Sequence, residues 1–194
     1  MPSFPPIYLL RHGQTDWNAA RRVQGQRESD LSDLGRTQAA RQGEILRSAG
    51  LGVPPWQLYA SPLRRTRQTA ALALGPLVER VVFDDRLKEI GMGRWEGMLY
   101  SEVAATWPDY FASLGNPFAQ CTGALEGEGF EAVHARAAAF LADLAAPSVI
   151  VAHGIVNAVL RGVLLGLDQT GMAALQAEQG VVLDIRDGVE TVLR

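Results

Sequence analysis

The sequence predicts an α/β fold. Three layers, α/β/α, are expected around a doubly wound, mostly parallel sheet with an antiparallel edge strand. Three observations predict it. Short apolar runs alternate along the chain with longer segments of helical period, the signature of strand–helix–strand units. The last such run is split by "DG" (Asp187-Gly188), a hairpin signal that adds an antiparallel edge. Of 194 residues, 47% are hydrophobic and 20% charged, enough apolar surface for one core and too little charge for disorder.

The elements follow in order. "IYLL" (7–10) is a strand. "GRTQAARQGEILRSA" (35–49) is a helix closed by Gly50. "WQLYA" (56–60) is a second strand, and Arg64–Leu74 a helix ended by "GP". "VVF" (81–83) is a third strand, and residues 128–144 form an amphipathic helix before the strand "SVIVA" (148–152). A helix over 155–166 and a hairpin over 181–193 complete the pattern. Residues from about 95 to 129 break the alternation with Gly, Pro and aromatics. They read as a lid-like excursion over one face of a single domain spanning 1–194.

Composition narrows the function. One cysteine, Cys121, permits no intrachain disulfide, as expected of a reducing compartment. The opening residues carry no basic leader pattern, and no apolar run approaches the ~18 residues of a membrane span, so a cytoplasmic, soluble protein is expected. Net charge is −3. Residues 1–67 contain ten Arg against five Asp or Glu; residues 68–194 contain eight Lys or Arg against sixteen acids. An acidic chain without a basic run is unsuited to nucleic acid, whereas a locally basic first third suits a small anion.

In open α/β sheets ligands bind beyond the carboxyl ends of the strands. After "IYLL" comes Arg11-His12-Gly13; after "WQLYA" comes "SPLRRTRQT"; after "SVIVA" comes His153-Gly154. Two of three histidines thus sit at strand ends, each followed by glycine, beside an arginine-rich third junction. Glycine allows positive φ and close approach of backbone to a ligand, and arginine offers paired donors to phosphate oxygens. A metal is the rival for paired histidines, but zinc needs a third ligand and the guanidinium groups would repel a dication, so no metal or other cofactor is expected. No P-loop, dinucleotide fingerprint or serine elbow is present. Cys121 lacks a basic cradle and reads as inert.

These blocks resemble the histidine phosphatase superfamily in its phosphoglycerate-mutase-like branch. "LLRHGQTDWN" is similar to the family's signature. "RRVQGQRESDLSDLGRTQA" resembles its next block with one extra residue before Asp30, and "SPLRRTRQTA", "LKEIGMGRWEGM" and "VIVAHG" follow in the family's order. The resemblance implies that His12 is the nucleophile forming a phosphohistidine. It also implies that Arg11, Arg65 and His153 surround the phosphoryl oxygens, with Gly154 beside them. Asn18 would add a hydrogen bond, and Gln24 and Gly25 would line the entrance. Glu89 would be the general acid and then the base. Family spacing selects Arg65 over Arg64 and Arg67, which would be exposed.

The family includes mutases and phosphatases. Its mutases continue from the catalytic glutamate as E-R-H-Y-G, whereas here Glu89 is followed by Ile90-Gly91-Met92-Gly93. No Lys or Arg occurs between Trp95 and Ala135. The excursion offers Met98, Tyr100, Trp107, Tyr110, Phe111 and Phe118 instead, of which one or two are expected to face the pocket. The expected activity is therefore hydrolysis of a small-molecule phosphate monoester with an apolar or neutral leaving group. A cofactor-dependent phosphoglycerate mutase is the alternative, kept open by Arg21 and Arg22. A non-catalytic phosphate-binding module is the third reading. The sequence does not specify an oligomeric state.

Overall fold

The computed structural model describes residues 4–51, 56–176 and 178–194. Expectations touching residues 1–3, among them the absence of a leader, lie outside these. Six strands form one sheet: β1 (Ile7–Arg11), β2 (Gln57–Ala60), β3 (Val82–Phe83), β4 (Ser148–Ala152), β5 (Val182–Arg186) and β6 (Val189–Leu193). Their order is β3-β2-β4-β1-β5-β6. The first four in that order run parallel, while β5 is antiparallel to β1 and β6 to β5. The doubly wound, mostly parallel sheet with an antiparallel edge is therefore present.

β1 is apolar without alternation because both its faces are covered. Ile7 and Leu9 join one core with Ile150 and Ala152, whereas Tyr8 and Leu10 join another with Leu58, Val149 and Val151. The second core is closed by α2 (Asp33–Ser48) and α3 (Arg64–Leu74), through Leu46, Ala70 and Leu74. The first is closed by α7 (Phe130–Ala142) and α8 (Gly154–Leu165), through Val133, Phe140, Val156 and Leu160. The first long helix after β1, α2, thus packs on one face and the helix after β4, α8, on the other. These adjacent strands form the switch point where a crevice opens. Register places Arg11 opposite Ala152 and Ala60 opposite Val151, so His12, His153 and Ser61 emerge at one level.

Most boundaries shift by a residue or two, and three of the differences have clear local reasons. α2 begins at Asp33 because the Ser32 side chain accepts from the Gly35 N–H at 3.1 Å, two residues before the predicted start. α7 begins at Phe130 because Glu128 is committed elsewhere, to Arg136 at 2.6 Å and to the Gly91 N–H at 3.2 Å. β3 has two residues and is an edge strand, with Val82 56% exposed. The short helices α1 (Asp16–Ala19) and α9 (Gln169–Ala174) carry too little apolar periodicity to be predicted.

The excursion folds into α4 (Tyr100–Thr106), α5 (Pro108–Ser113) and α6 (Pro117–Thr122). Trp95, fully buried, organises it: the rings of Trp107, Tyr110 and Phe111 lie 5.8–6.4 Å from its ring. Val103 and Phe118 join the same core as α7 and α8. Among the described residues no helix is long and apolar enough to cross a membrane.

The glycine of Arg11-His12-Gly13 has a different purpose from the one expected. Gly13 is not at positive φ; a Cβ there would lie 2.1 Å from the Gly35 carbonyl oxygen, inside the first turn of α2. Its close approach is to a neighbouring backbone rather than to a ligand. Gly13→Ala is therefore expected to destabilise the protein by about 3 kcal/mol, since backbone rather than a flexible side chain must move. Urea unfolding of the variant checks this, and an unchanged midpoint would contradict the contact.

Candidate active site

Backbone contacts from distant parts of the chain hold the end of β1. The Arg11 carbonyl accepts from Gln42 Nε2 at 2.9 Å, the His12 carbonyl from Gln179 Nε2 at 2.9 Å, and the Gly13 N–H donates to Thr69 Oγ1 at 3.1 Å. The His12 N–H donates to the Ala152 carbonyl at 3.0 Å, tying β1 to β4 beside His153.

His12 is 3% exposed, and its Nδ1 lies 2.7 Å from the Gly13 carbonyl. A carbonyl only accepts, so Nδ1 carries the hydrogen. Burial first, then the Arg65 and Arg11 guanidinium groups, holds this imidazole well below its usual pKa near 6.5. The ring is neutral, and Nε2 presents a lone pair.

Arg65 is 1% exposed, while Arg64 and Arg67 are exposed as expected. Its guanidinium donates from Nε to His153 Nδ1 at 3.0 Å, from one terminal nitrogen to Arg27 O at 2.8 Å, and from the other to Gly25 O at 2.7 Å. Three of five donors are used, and two N–H groups remain uncommitted. Arg11 is half-buried and lines the same cleft. Burial lowers both arginines, and the Glu89 charge opposes that shift in each.

His153 is fully buried behind Arg65, its ring edge-on to His12 with centroids 5.1 Å apart. Since Nδ1 accepts from Arg65, Nε2 carries the hydrogen and donates to Ser61 Oγ at 2.7 Å. Both ring nitrogens are engaged by protein groups. Burial, then Arg65 and His12, keeps this imidazole neutral too.

Glu89 approaches from the loop after β3. Its Oε2 accepts from the Ile155 N–H and its Oε1 from the Val156 N–H, both at 3.2 Å, with the Ile90 N–H at 3.0 Å. Glu89 thus sits on the first turn of α8, its two oxygens accepting from main-chain amides there. Gly154, the first residue of α8, lines the cleft; a Cβ there would meet Arg11 at an ordinary 3.5 Å. Asn18 Oδ1 accepts from the Thr15 N–H at 3.1 Å in a capping box, which leaves its amide donors for the cleft it lines. Gln24 is buried and lines the cleft, and its Oε1 has no partner among the described residues. Gly25 has φ +52°, and a Cβ would lie 2.0 Å from Glu96 Oε1.

Sequence reading missed two supporting residues, although both lie in its quoted blocks. Ser61 Oγ accepts from His153 Nε2 and holds the ring from the side opposite Arg65. Glu96 Oε1 accepts from the Gln26 and Met92 N–H groups, each at 3.0 Å, clipping the loop that holds Arg65 to the loop that bears Glu89.

The cleft has a volume of about 1130 Å³. Three of the six aromatic or methionine side chains expected over it line it: Tyr100, Phe111 and Phe118, rather than one or two. Cys121 also lines it; burial pushes its thiol up to about 12, in line with an inert residue. Among the described residues no group of three or more His, Cys, Asp or Glu is placed to hold a metal ion.

The neutral histidines have a consequence for stability. In the unfolded chain both would gain protons as pH falls through about 6.5, whereas in the fold they resist protonation. Their stabilisation is complete above that pH and is lost as the pH drops towards the folded values. Between pH 7 and 5 the unfolding free energy should fall, and His12→Gln should make the slope shallower by up to about 1.4 kcal/mol per pH unit. Denaturant titrations at several pH values measure this; parallel slopes would refute it.

A family model described as the histidine phosphatase superfamily (branch 1) matches residues 7–192. A glucosyl-3-phosphoglycerate phosphatase of Mycobacterium tuberculosis is 36% identical over 183 residues, covering 87% of this chain and 79% of that protein. A Salmonella paratyphi A protein named probable phosphoglycerate mutase GpmB is 35% identical over 166 residues, 83% of this chain and 75% of that one. The structure of a mycobacterial glucosyl-3-phosphoglycerate phosphatase with VO3 superposes with TM-score 0.77 at 32% identity, over 97% of this chain and 96% of that one. An alpha-ribazole phosphatase from Shigella flexneri gives 0.79 at 26% identity, over 97% and 94%. With the family's blocks gathered around one crevice and the match running from the first strand to the last, the chain belongs to the histidine phosphatase superfamily, branch 1.

Proposed function

We propose that this protein is a phosphomonoesterase that hydrolyses a small phosphate monoester through a phosphohistidine on His12. The observation that carries the reading is the neutral His12 ring, with Nδ1 held by the Gly13 carbonyl and Nε2 left as the lone pair. Nε2 attacks phosphorus and the P–O ester bond breaks. A proton that enters on the monoanionic phosphate ester and is held by Glu89 passes to the departing oxygen, giving the alcohol. Glu89 then takes a proton from water, the water oxygen attacks phosphorus, and the P–N bond breaks to release phosphate. Arg11 and the two remaining N–H groups of Arg65 stabilise the oxygens of the transferring group, with Asn18 as a further donor. His153 keeps Arg65 aligned, and a bound phosphoryl oxygen would compete for the hydrogen bond between them. Gln24, Gly25 and Gly154 line the entrance, and α4–α6 serve as the lid of a single domain.

The relatives' names support phosphate monoesters as the substrate class, and a cytoplasmic location fits a chain with one cysteine. A mutase must hold a second phosphoryl group. Here α4–α6 contribute no Lys or Arg and the Arg22 guanidinium is engaged by the Gly97 carbonyl, which leaves Arg21 as one cation beyond the phosphoryl site, fewer than a second phosphoryl group calls for. The likeness to GpmB keeps a direct assay necessary. Phosphate release from aryl and metabolite monoesters should exceed the rate of equilibrating 3- and 2-phosphoglycerate; the reverse order would overturn the phosphatase reading.

Glu89→Gln separates the acid's role from binding. Release from alkyl phosphates, whose alkoxide needs a proton, should slow about 10³-fold, while release from p-nitrophenyl phosphate slows far less. Equal losses on both would remove Glu89 as the acid.

A further inference from the structure

We propose that Arg21 forms a second anion subsite at the rim of the cleft and selects phosphate monoesters whose leaving group carries its own negative charge, such as a carboxylate. The inference rests on the phosphomonoesterase reading and replaces the apolar or neutral leaving group expected from the lid sequence.

Four arginines line the cleft. Arg11 and Arg65 belong to the phosphoryl site. Arg22 is tied to the Gly97 carbonyl and lies 5.7 Å over the Trp17 ring. Arg21 is exposed, and among the described residues no hydrogen bond or ion pair engages its guanidinium. Among the described residues the only carboxylate lining the cleft is Glu89, which faces the α8 terminus. The charge of Arg21 therefore has no acid in the cleft to neutralise it.

Hydrogen bonds fix the main chain of Arg21, and so the point from which its side chain starts. Its N–H donates to the Asn18 carbonyl at 3.1 Å, and its carbonyl accepts from the Tyr100 N–H at 3.1 Å. It therefore joins the phosphate-side helix α1 to the first residue of the lid. Its φ is +53°, in the left-handed region, where a residue with a Cβ costs about 1–2 kcal/mol and glycine or asparagine would sit more easily. A long cation is thus kept at a strained position on the seam between phosphoryl site and lid. Nearby on the lid, Ser101 and Gln120 also line the cleft, polar and uncharged. A substrate with phosphorus at His12 and a leaving group large enough to use the 1130 Å³ cleft would meet one cation at the rim. Coulomb attraction and paired N–H donors favour a carboxylate there.

The test compares 4-carboxyphenyl phosphate with its near-isosteric amide, 4-carbamoylphenyl phosphate. The ratio of their kcat/KM values cancels common effects on the chemistry. Arg21→Gln should lower the ratio about fivefold, the effect of one partly exposed charge pair, and Arg21→Lys should restore it to within about twofold of wild type. Arg36→Gln, on the exposed side of α2, should leave it unchanged. An equal ratio in wild type and Arg21→Gln overturns the proposal. Should Arg21→Gln not fold, the wild-type ratio read from about 0.02 to 0.5 M salt decides: a fall supports an exposed charge contact, and a constant ratio overturns it. If wild type releases phosphate from neither these esters nor any other monoester, the phosphatase reading itself fails, a result distinct from hydrolysis without charge preference.

Discussion

His12→Ala is expected to reduce phosphate release by about 10⁴-fold or more, the scale of losing a nucleophile whose partners cannot act without it. The loss should fall on kcat, because Arg11, Arg65 and Asn18 still hold the phosphoryl group while no lone pair is left to attack it. The variant should also fail to retain acid-labile phosphate when quenched during turnover with a radiolabelled monoester, whereas wild type retains it. The fold should survive, because the ring's one polar tie is to the adjacent Gly13 carbonyl. Near-normal release from an aryl phosphate by folded His12→Ala would dismiss the phosphohistidine route.

Arg65→Ala is expected to injure stability and catalysis together. The guanidinium satisfies Gly25 O, Arg27 O and His153 Nδ1, and all three lose their donor on truncation. At about 1 kcal/mol each the change should cost roughly 3 kcal/mol, or about 6–12 °C in Tm for a chain of this size. Removal of a preorganised cation from the transferring phosphoryl group should lower kcat/KM by a further factor of about 10³. Arg65→Lys keeps the charge but not the fork, so it should recover only part of either loss. A variant with wild-type Tm but impaired kcat/KM would show that the loop carbonyls find other donors, and that Arg65 acts on the phosphoryl group without bracing residues 25–27.

The two substitutions divide what a local pattern can disclose from what it cannot. His12 was legible because it follows an apolar run, and a strand whose residues alternate into two cores releases its next residue beyond the carboxyl end of the sheet. His153 was legible for the same reason. Arg65 required family spacing to separate it from Arg64 and Arg67, since three arginines within four residues look alike until helix α3 turns one inward. Its bonds to residues 25 and 27 were beyond reach, because they join segments about 40 positions apart.

Glycine shows the same division. Both strand–His–Gly junctions suggested backbone freedom near a ligand, yet Gly13 is required by the packing of α2 against it, and Gly154 meets Arg11 only at ordinary contact distance. The lid presents a similar case. Its aromatic content was plain, but which rings fill the space around Trp95 and which face the cleft depends on how α4–α6 pack.

The sequence by itself determined the fold class, the order of the main elements, the family and the strand ends that carry the candidate site. These follow from periodicity and from motifs confined to a few neighbouring residues. Only the tertiary structure decided that Glu89 rests on the first turn of α8, that the two histidine rings are buried with His12 Nδ1 on the Gly13 carbonyl and His153 Nε2 on Ser61, and that the Arg22 guanidinium is engaged by the Gly97 carbonyl. Each of these depends on which donor meets which acceptor across long stretches of chain, and on how far burial removes water from the pair.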